Sequence, residues 1–418
     1  MIESLVSVVG QRGVDAAAFL LAFALTALTD SLFHNKLPHD HGREFAVNGG
    51  LSKGKARGSG LIFVLCIALV CAAASCFFVP PSAEYLSYID ARVLALLFCL
   101  IAAVAGLSKA GLMRRLSSAL LARAKDGRHL ALLLSLSCFF LAMFVTNDVS
   151  LITFVPLTVM ILQQAGLADL MIPVVTLETI AANLGSALTP VGNPQNLYLY
   201  TAYSLSPGVF FSITVPLCAV SLFLLLLFLL TIPRKPFAVS TADAQEYTPL
   251  HGRELVLHGV LFVLCLLAVF SVLSWQILLG VVLAALLLFD REIFRRVDYA
   301  LLLTFVCFFI FSGNLSRIHA VRELLTNLME KSAFFASLLS SQIISNVPAA
   351  LLLRPFTDNA AAMILGTDVG GLGTLVASLA SLISYKAYLR AKGANGGRYL
   401  AYFTVVNLLF LLRRRCCR

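Results

Sequence analysis

"FVTNDVSLITFVPL" (144–157) sets Thr146, Asn147 and Asp148 side by side in a stretch otherwise apolar enough to enter a bilayer. A charged side chain at the centre of a membrane helix costs about 2.5–3.5 kcal/mol on insertion scales. Either this segment is not a lipid-facing helix, or its polar residues have a task. The rest of the chain decides between the two.

Of 418 residues, 60% are hydrophobic and only 12% charged, with a mean hydropathy of +0.92. Soluble domains carry about 25% charged residues. Runs such as "LIFVLCIALVCAAASCFFV" (61–79) and "VFFSITVPLCAVSLFLLLLFLLTI" (209–232) are long enough to span, at about 20 residues each. The chain therefore reads as an all-α polytopic membrane protein with about ten to twelve membrane elements. The short alternating segments of a β-barrel are absent. The net charge of +10 sits in loops, as the positive-inside rule requires. It marks the bilayer, not nucleic acid, as the partner. Eight of the ten cysteines lie in apolar segments, where Cys behaves as a small hydrophobe; no CxxC pair suggests a metal or a disulfide framework. Cys416 and Cys417 close a basic tail, "RRRCCR", at 413–418. Residues 1–59 read as an appendage: one short apolar segment, "VDAAAFLLAFALTAL" (14–28), then a polar Gly-rich linker. His34, His39, Asp40 and His41 there suit a solvated loop better than a metal site.

The chain resembles itself. "DARVLALLFCLIAAVAGLSKAGLMRRL" (90–116) aligns without gaps on "DYALLLTFVCFFIFSGNLSRIHAVREL" (298–324), matching Asp90, Cys99, Ser108 and Arg114 to Asp298, Cys307, Ser316 and Arg322. Downstream, Thr146, Asn147 and Pro156 match Ser345, Asn346 and Pro355. Gly185, Thr189 and Val191 then match Gly370, Thr374 and Val376. Three blocks in one order predict two repeats, 60–233 and 275–412, joined by a cytoplasmic linker and connector helix at 234–274. Lys109, Arg114, Arg115, Arg123, Lys125 and Arg128 place segment 109–129 in the cytoplasm. Tracing the helices from there gives the repeats opposite topology, with re-entrant hairpins at 130–165 and 333–358 and broken helices at 170–200 and 367–385. On this topology the basic tail falls outside, against the charge rule.

Non-helical backbone at membrane depth is tolerated only when buried in protein or lining a cavity. In inverted-repeat transporters such breaks hold the substrate and ion sites. Half-helix N-termini offer N–H groups to anions, and C-terminal ends offer carbonyls to cations. Four breaks are legible: Thr146–Asn147–Asp148, "TPVGNPQN" (189–196), Ser345–Asn346 and "DVGGLGT" (368–374). The candidate site residues are Thr146, Asn147, Asp148, Gly185, Ser186, Thr189, Gly192, Asn193 and Asn196 from the first half. From the second come Ser345, Asn346, Asp368, Gly370, Gly371, Gly373, Thr374 and Ser378. Asp148 and Asp368 are candidate cation or proton carriers, with Asp368 expected to open its helix. Glu178 is a candidate proton relay. Arg354, two turns past the second tip, is expected to snorkel toward the surface.

At these stretches, namely "FVTNDVSLITFVPL", "ANLGSALTPVGNPQNLYLY" (182–200), "SQIISNVPAALLL" (341–353) and "GGLGTLVASLASLISYK" (370–386), the sequence resembles the ion transporter superfamily. That group includes divalent anion/sodium symporters, citrate transporters, arsenite permeases and sodium/proton antiporters. The citrate-transporter-like, bacterial anion permease branch fits best, over residues 60–412. The resemblance implies a homodimer in the bacterial inner membrane, working as an elevator with a mobile transport domain. The sodium symporters carry Ser-Asn-Thr at both hairpin tips; here Asn147 and Asn346 match and the third positions, Asp148 and Val347, do not. The asparagines imply a Na⁺ site near Asn147 and Asn346; the mismatched third position counts against sodium at the second tip, and Asp148 supports proton coupling.

The expected function is secondary active transport of a small anion, a di- or tricarboxylate such as citrate or succinate or an oxyanion, coupled to H⁺ or Na⁺. No cofactor is expected. The nearest alternative is a sodium/proton antiporter using Asp148 and Asp368; an arsenite efflux permease ranks behind it. Enzymes are disfavoured: HExxH and GxSxG are absent within the spans, and no P-loop is present.

Overall fold

The computed structural model describes residues 55–121, 123–236 and 251–412, and every element among them is helical. The appendage's His34–His41 stretch, most of the linker after Pro236 and the basic tail lie outside the described residues. Among the described residues, six helices are long and apolar enough to cross a membrane: Ala91–Lys109, Gly127–Val145, Ala168–Ser186, Pro207–Leu229, Gly252–Val269 and Tyr299–Arg317.

The first helices are α1 (Lys55–Phe78), α2 (Ala91–Lys109) and α3 (Leu112–Leu121). Then come α4 (Gly127–Val145), α5 (Asn147–Gln164), α6 (Met171–Ser186), α7 (Pro194–Ala202) and α8 (Pro207–Leu229). The second half has α9 (Gly252–Val269), α10 (Trp275–Phe289), α11 (Tyr299–Arg317) and α12 (His319–Ile344). It closes with α13 (Asn346–Leu353), α14 (Ala360–Gly370), α15 (Leu379–Tyr388) and α16 (Gly396–Leu412).

Local chemistry fixes many of the starts. Asp90 and Asp298, which head the self-similar stretches, each accept a hydrogen bond from the backbone N–H three residues on, at 3.1 Å. They are N-caps, satisfying a donor the helix itself leaves orphaned. Asp126 and Asn193 do the same for α4 and α7.

The apolar residues gather into two main cores. One joins α1, α2, α7, α9, α10, α11 and α13; the other joins α4, α5, α6, α8, α15 and α16. The cytoplasm-assigned ends of α2, α9 and α10 are tied by charge. Lys109 Nζ lies 2.8 Å from Asp290, 3.0 Å from Glu292 and 3.6 Å from Glu254. Asp290 also meets the fully buried His258 at 3.1 Å.

Two helical hairpins organise the rest. α4 packs along α6 and turns at Thr146 into α5; α12 packs along α14 and turns at Ser345 into α13. Both turn residues hold a positive φ, 73° and 76°. That is uncommon for non-glycine residues and is sustained only where surrounding contacts enforce it. α12 is interrupted at Ser332, whose extended backbone (φ −169°) ends one helical segment and starts the hairpin arm.

One sequence expectation needs correction. The second broken helix does not begin at 367: α14 starts at Ala360, because the Asn359 side chain caps it by accepting from Ala362 N at 3.0 Å. Asp368 therefore lies in the last turn of a half-helix instead of opening one, and the break runs from Gly371 to Ser378.

Candidate functional site

Each hairpin tip is pinned to a broken helix by its asparagine. Asn147 N donates to Gly192 O at 3.2 Å, and Asn346 N donates to Ala377 O at 3.0 Å. Each asparagine Oδ1 then accepts from the next backbone N–H at 3.0 Å, from Asp148 and from Val347. The first N–H groups of α5 and α13 are thereby drawn together at their tips, where a helix start favours negative charge.

The two halves meet through amides and hydroxyls. Asn147 Nδ2 donates to Asn183 Oδ1 at 3.0 Å, and Ser378 Oγ donates to the same oxygen at 3.0 Å. Asn183 Nδ2 reaches Ser381 Oγ at 3.5 Å. Ser186 Oγ donates to Asn183 O at 2.9 Å and accepts from Asn193 Nδ2 at 3.3 Å. Thr189 Oγ1 donates to Met143 O, holding the first break against α4.

Asp368, 2% exposed, anchors the second junction. Its Oδ2 accepts from Asn196 Nδ2 at 3.0 Å, and its Oδ1 accepts from Asn193 Nδ2 at 3.3 Å and Gln195 Nε2 at 3.5 Å. The three amides all come from the start of α7. Near the second tip, Ser345 Oγ donates to Ala377 O at 3.4 Å. Gln342 clasps the second break: its Nε2 donates to Gly370 O at 2.7 Å and Leu372 O at 2.9 Å, while its Oε1 accepts from Thr374 N at 3.0 Å.

The glycines permit these approaches. A Cβ on Gly185 would sit 2.0 Å from Phe139 O and one on Gly192 2.2 Å from Ser186 O, both backbone atoms. A Cβ on Gly370 would lie 2.7 Å from Ser341 Cβ, and one on Gly371 2.9 Å from Asn346 Nδ2. Gly373 lies beside Gln342 at φ +113°, a conformation that suits glycine.

A cavity of about 570 Å³ opens beside the first tip. Thr146, Asp148 and Asn193 bring polar groups to it, and Arg295, Arg296 and Asp298 bring charges from the stretch Arg295–Leu301, against apolar residues of α2. Its volume is in the range of small-molecule sites, about 300–1,000 Å³. Asp148 lines this cavity, whereas Asp368 is enclosed by amides and does not.

Most sequence candidates thus converge on one crossing. Glu178 stands apart, fully buried in the α4–α5–α6 core, with Oε1 accepting from Thr158 Oγ1 at 2.5 Å and no partner on Oε2. Sequence reasoning missed Asn183, Gln195, Gln342 and Ser381. All four are uncharged polar residues within two turns of a break, and that was the signal available.

The citrate transporter (CitMHS) family profile matches residues 55–383. The uncharacterized transporter MJ0456 of Methanocaldococcus jannaschii is 31% identical over 290 residues, covering 69% of this chain and 78% of its own length. The inner membrane protein YbiR of Escherichia coli is 32% identical over 321 residues, covering 74% of this chain and 83% of its own. With that match across most of its length and the helical membrane architecture beneath it, the chain belongs to the citrate transporter family of membrane transporters.

Proposed function

We propose that this protein is a secondary active transporter of small anions, taking di- or tricarboxylates such as citrate or succinate under a proton or sodium gradient. The observation that carries the reading is the pair of tip contacts, Asn147 to Gly192 and Asn346 to Ala377. Each half brings a positive-φ bend, a helix start and an amide to the same crossing, the arrangement inverted-repeat transporters use to hold charged cargo at half-helix ends.

The cavities support two repeats of opposite orientation. A second cavity, of about 600 Å³, lies toward the start of α2 and the end of α11, whereas the first lies toward the end of α2 and the start of α11. The gapless pairing of Asp90 with Asp298 also pairs Ile101, Val104, Ala105 and Ser108 of the first cavity with Phe309, Ser312, Gly313 and Ser316 of the second. Two like walls facing opposite ends suit alternating access by an elevator movement of the hairpins, in a homodimer. The inner-membrane name of the Escherichia coli relative supports the same membrane here.

Asp148 is the coupling carboxylate on this reading, since it faces the first cavity. Asp368 serves as a clamp between the halves. In proteoliposomes, imposed H⁺ or Na⁺ gradients should drive uptake of labelled citrate or succinate, and Asp148→Asn should remove the proton-driven component. Sodium-dependent proton release without carboxylate uptake would replace this reading with the antiporter.

A further inference from the structure

The second cavity differs from the first in its chemistry. It is lined by Asp90, Arg92, Tyr198, Thr201, Trp275 and Arg354, among others. Arg354 does not snorkel. Its Nη2 donates to Ala202 O at 2.6 Å and its guanidinium stacks on Tyr203, 4.7 Å from the ring centroid. That fixes the plane of the guanidinium and leaves Nε buried without a partner. Thr201, next to Ala202 and 7% exposed, also has no partner for its Oγ1. Buried donors left unpaired are costly and uncommon in native structures. Both atoms are enclosed by protein, on neighbouring residues that line one cavity, so a carboxylate reaches them only as that wall opens; together they form an acceptor-seeking site.

Local charge is consistent with an anion. Arg92 is held to Ser271 Oγ at 2.9 Å, and Asp90 turns its carboxylate to the α2 start by accepting from Val93 N at 3.1 Å. The two arginines exceed the one acid.

We propose that Arg354 and Thr201 form a carboxylate-binding vestibule, distinct from the Asn147–Asn346 crossing, at the end of the protein opposite the Lys109–Asp290 cluster. A substrate carboxylate would accept from Arg354 Nε and Thr201 Oγ1, in the charge-assisted geometry that favours arginine over lysine. The vestibule would capture the anion before it reaches the crossing. The substrate class rests on the transport reading given above; the site itself does not.

Trp275 supplies the test, because it is the only tryptophan in the chain and it lines this cavity. Purified full-length protein in detergent is titrated with citrate, succinate, inorganic phosphate and chloride while Trp275 fluorescence is followed. A saturable change with citrate or succinate is expected. Arg354→Gln and the near-isosteric Thr201→Val should each weaken it about tenfold or more, in monodisperse protein, while Asn147→Ala leaves it within about twofold. A silent Trp275, a response to phosphate but to neither carboxylate, wild-type affinity in both vestibule variants, or loss of the response in Asn147→Ala overturns the proposal. The transport reading falls separately: an intact Trp275 response without uptake sinks it and leaves the vestibule standing. Uptake with a silent Trp275 does the reverse.

Discussion

Replacing Asp368 by asparagine changes one oxygen for one amide and tests whether the clamp between the halves is a carboxylate. The side chain is 2% exposed and receives hydrogen bonds from Asn193, Gln195 and Asn196. Three donors converging on two oxygens suit an ionised acceptor. Asparagine retains one oxygen, so its NH₂ must face at least one of these amides donor to donor. If the oxygen stays toward Asn193, the 3.0 Å bond from Asn196 is lost, at about 1.5–3 kcal/mol for a hydrogen bond to a charged group. The surviving bonds drop to neutral strength, which brings the total to about 2–4 kcal/mol. Thermal unfolding of purified protein in detergent should show Tm falling by about 3–6 °C, and uptake should fall because α7 and α14 no longer hold register. Unchanged stability together with wild-type uptake would mean that Asp368 carries a proton, and would refute the clamp.

Five other perturbations follow from the packing and the charges. Gly185→Ala puts a methyl 2.0 Å from the Phe139 carbonyl, a backbone atom that cannot swing away; a stability loss of about 1–3 kcal/mol or more with lost uptake is expected. Gly259→Ala, with nothing within 4 Å, should be neutral or stabilising by about 0.4–1 kcal/mol in the same unfolding assay. Lys109→Met leaves Asp290, whose side chain is 5% exposed, with His258 as its remaining side-chain partner, and should cost less than the about 3–5 kcal/mol of a fully unpaired buried charge, with partial recovery in the Lys109→Met/Asp290→Asn double variant. In that cluster Glu292 is held below its ordinary range by hydrogen bonds from Arg296 and then Lys109. Its contribution is present above the usual glutamate pKa and lost as pH falls through the lowered value, so low-pH unfolding should sharpen less in Glu292→Gln. Glu178→Gln keeps an acceptor for Thr158 away from the cavity, and should retain most proton-driven uptake where Asp148→Asn loses it.

The tips and breaks were legible because their signals are local. An asparagine, a proline or a paired glycine inside an apolar run stands out without knowledge of its neighbours, and the two capping aspartates, Asp90 and Asp298, could be matched by eye. What escaped was contact at long separation. Asn183 meets Ser378 across 195 positions, and one sequence carries no trace of such a pairing. The start of α14 was missed for another reason: the glycine-rich break at 368–374 is the stronger signal, although "RPFTDN" (354–359) sets a proline, an aspartate and the capping Asn359 between the hairpin and α14. Arg354 was misjudged because snorkelling assumes an aqueous edge within reach, whereas Tyr203 and the Ala202 carbonyl offer a nearer and drier partner. The sequence places the start of the second hairpin at 333, beside the Ser332 interruption of α12, although no proline or glycine announces that break.

The central claim is that Asn147 and Asn346 build one anion-transporting crossing from the two halves. Its most direct test is uptake of radiolabelled citrate and succinate into proteoliposomes under separately imposed Na⁺ and H⁺ gradients. Gradient-driven uptake by the wild type, abolished by Asn147→Ala and by Asn346→Ala in protein that still folds, is the predicted result. Wild-type uptake that survives both substitutions, or no carboxylate uptake with proton release on adding Na⁺, would contradict it.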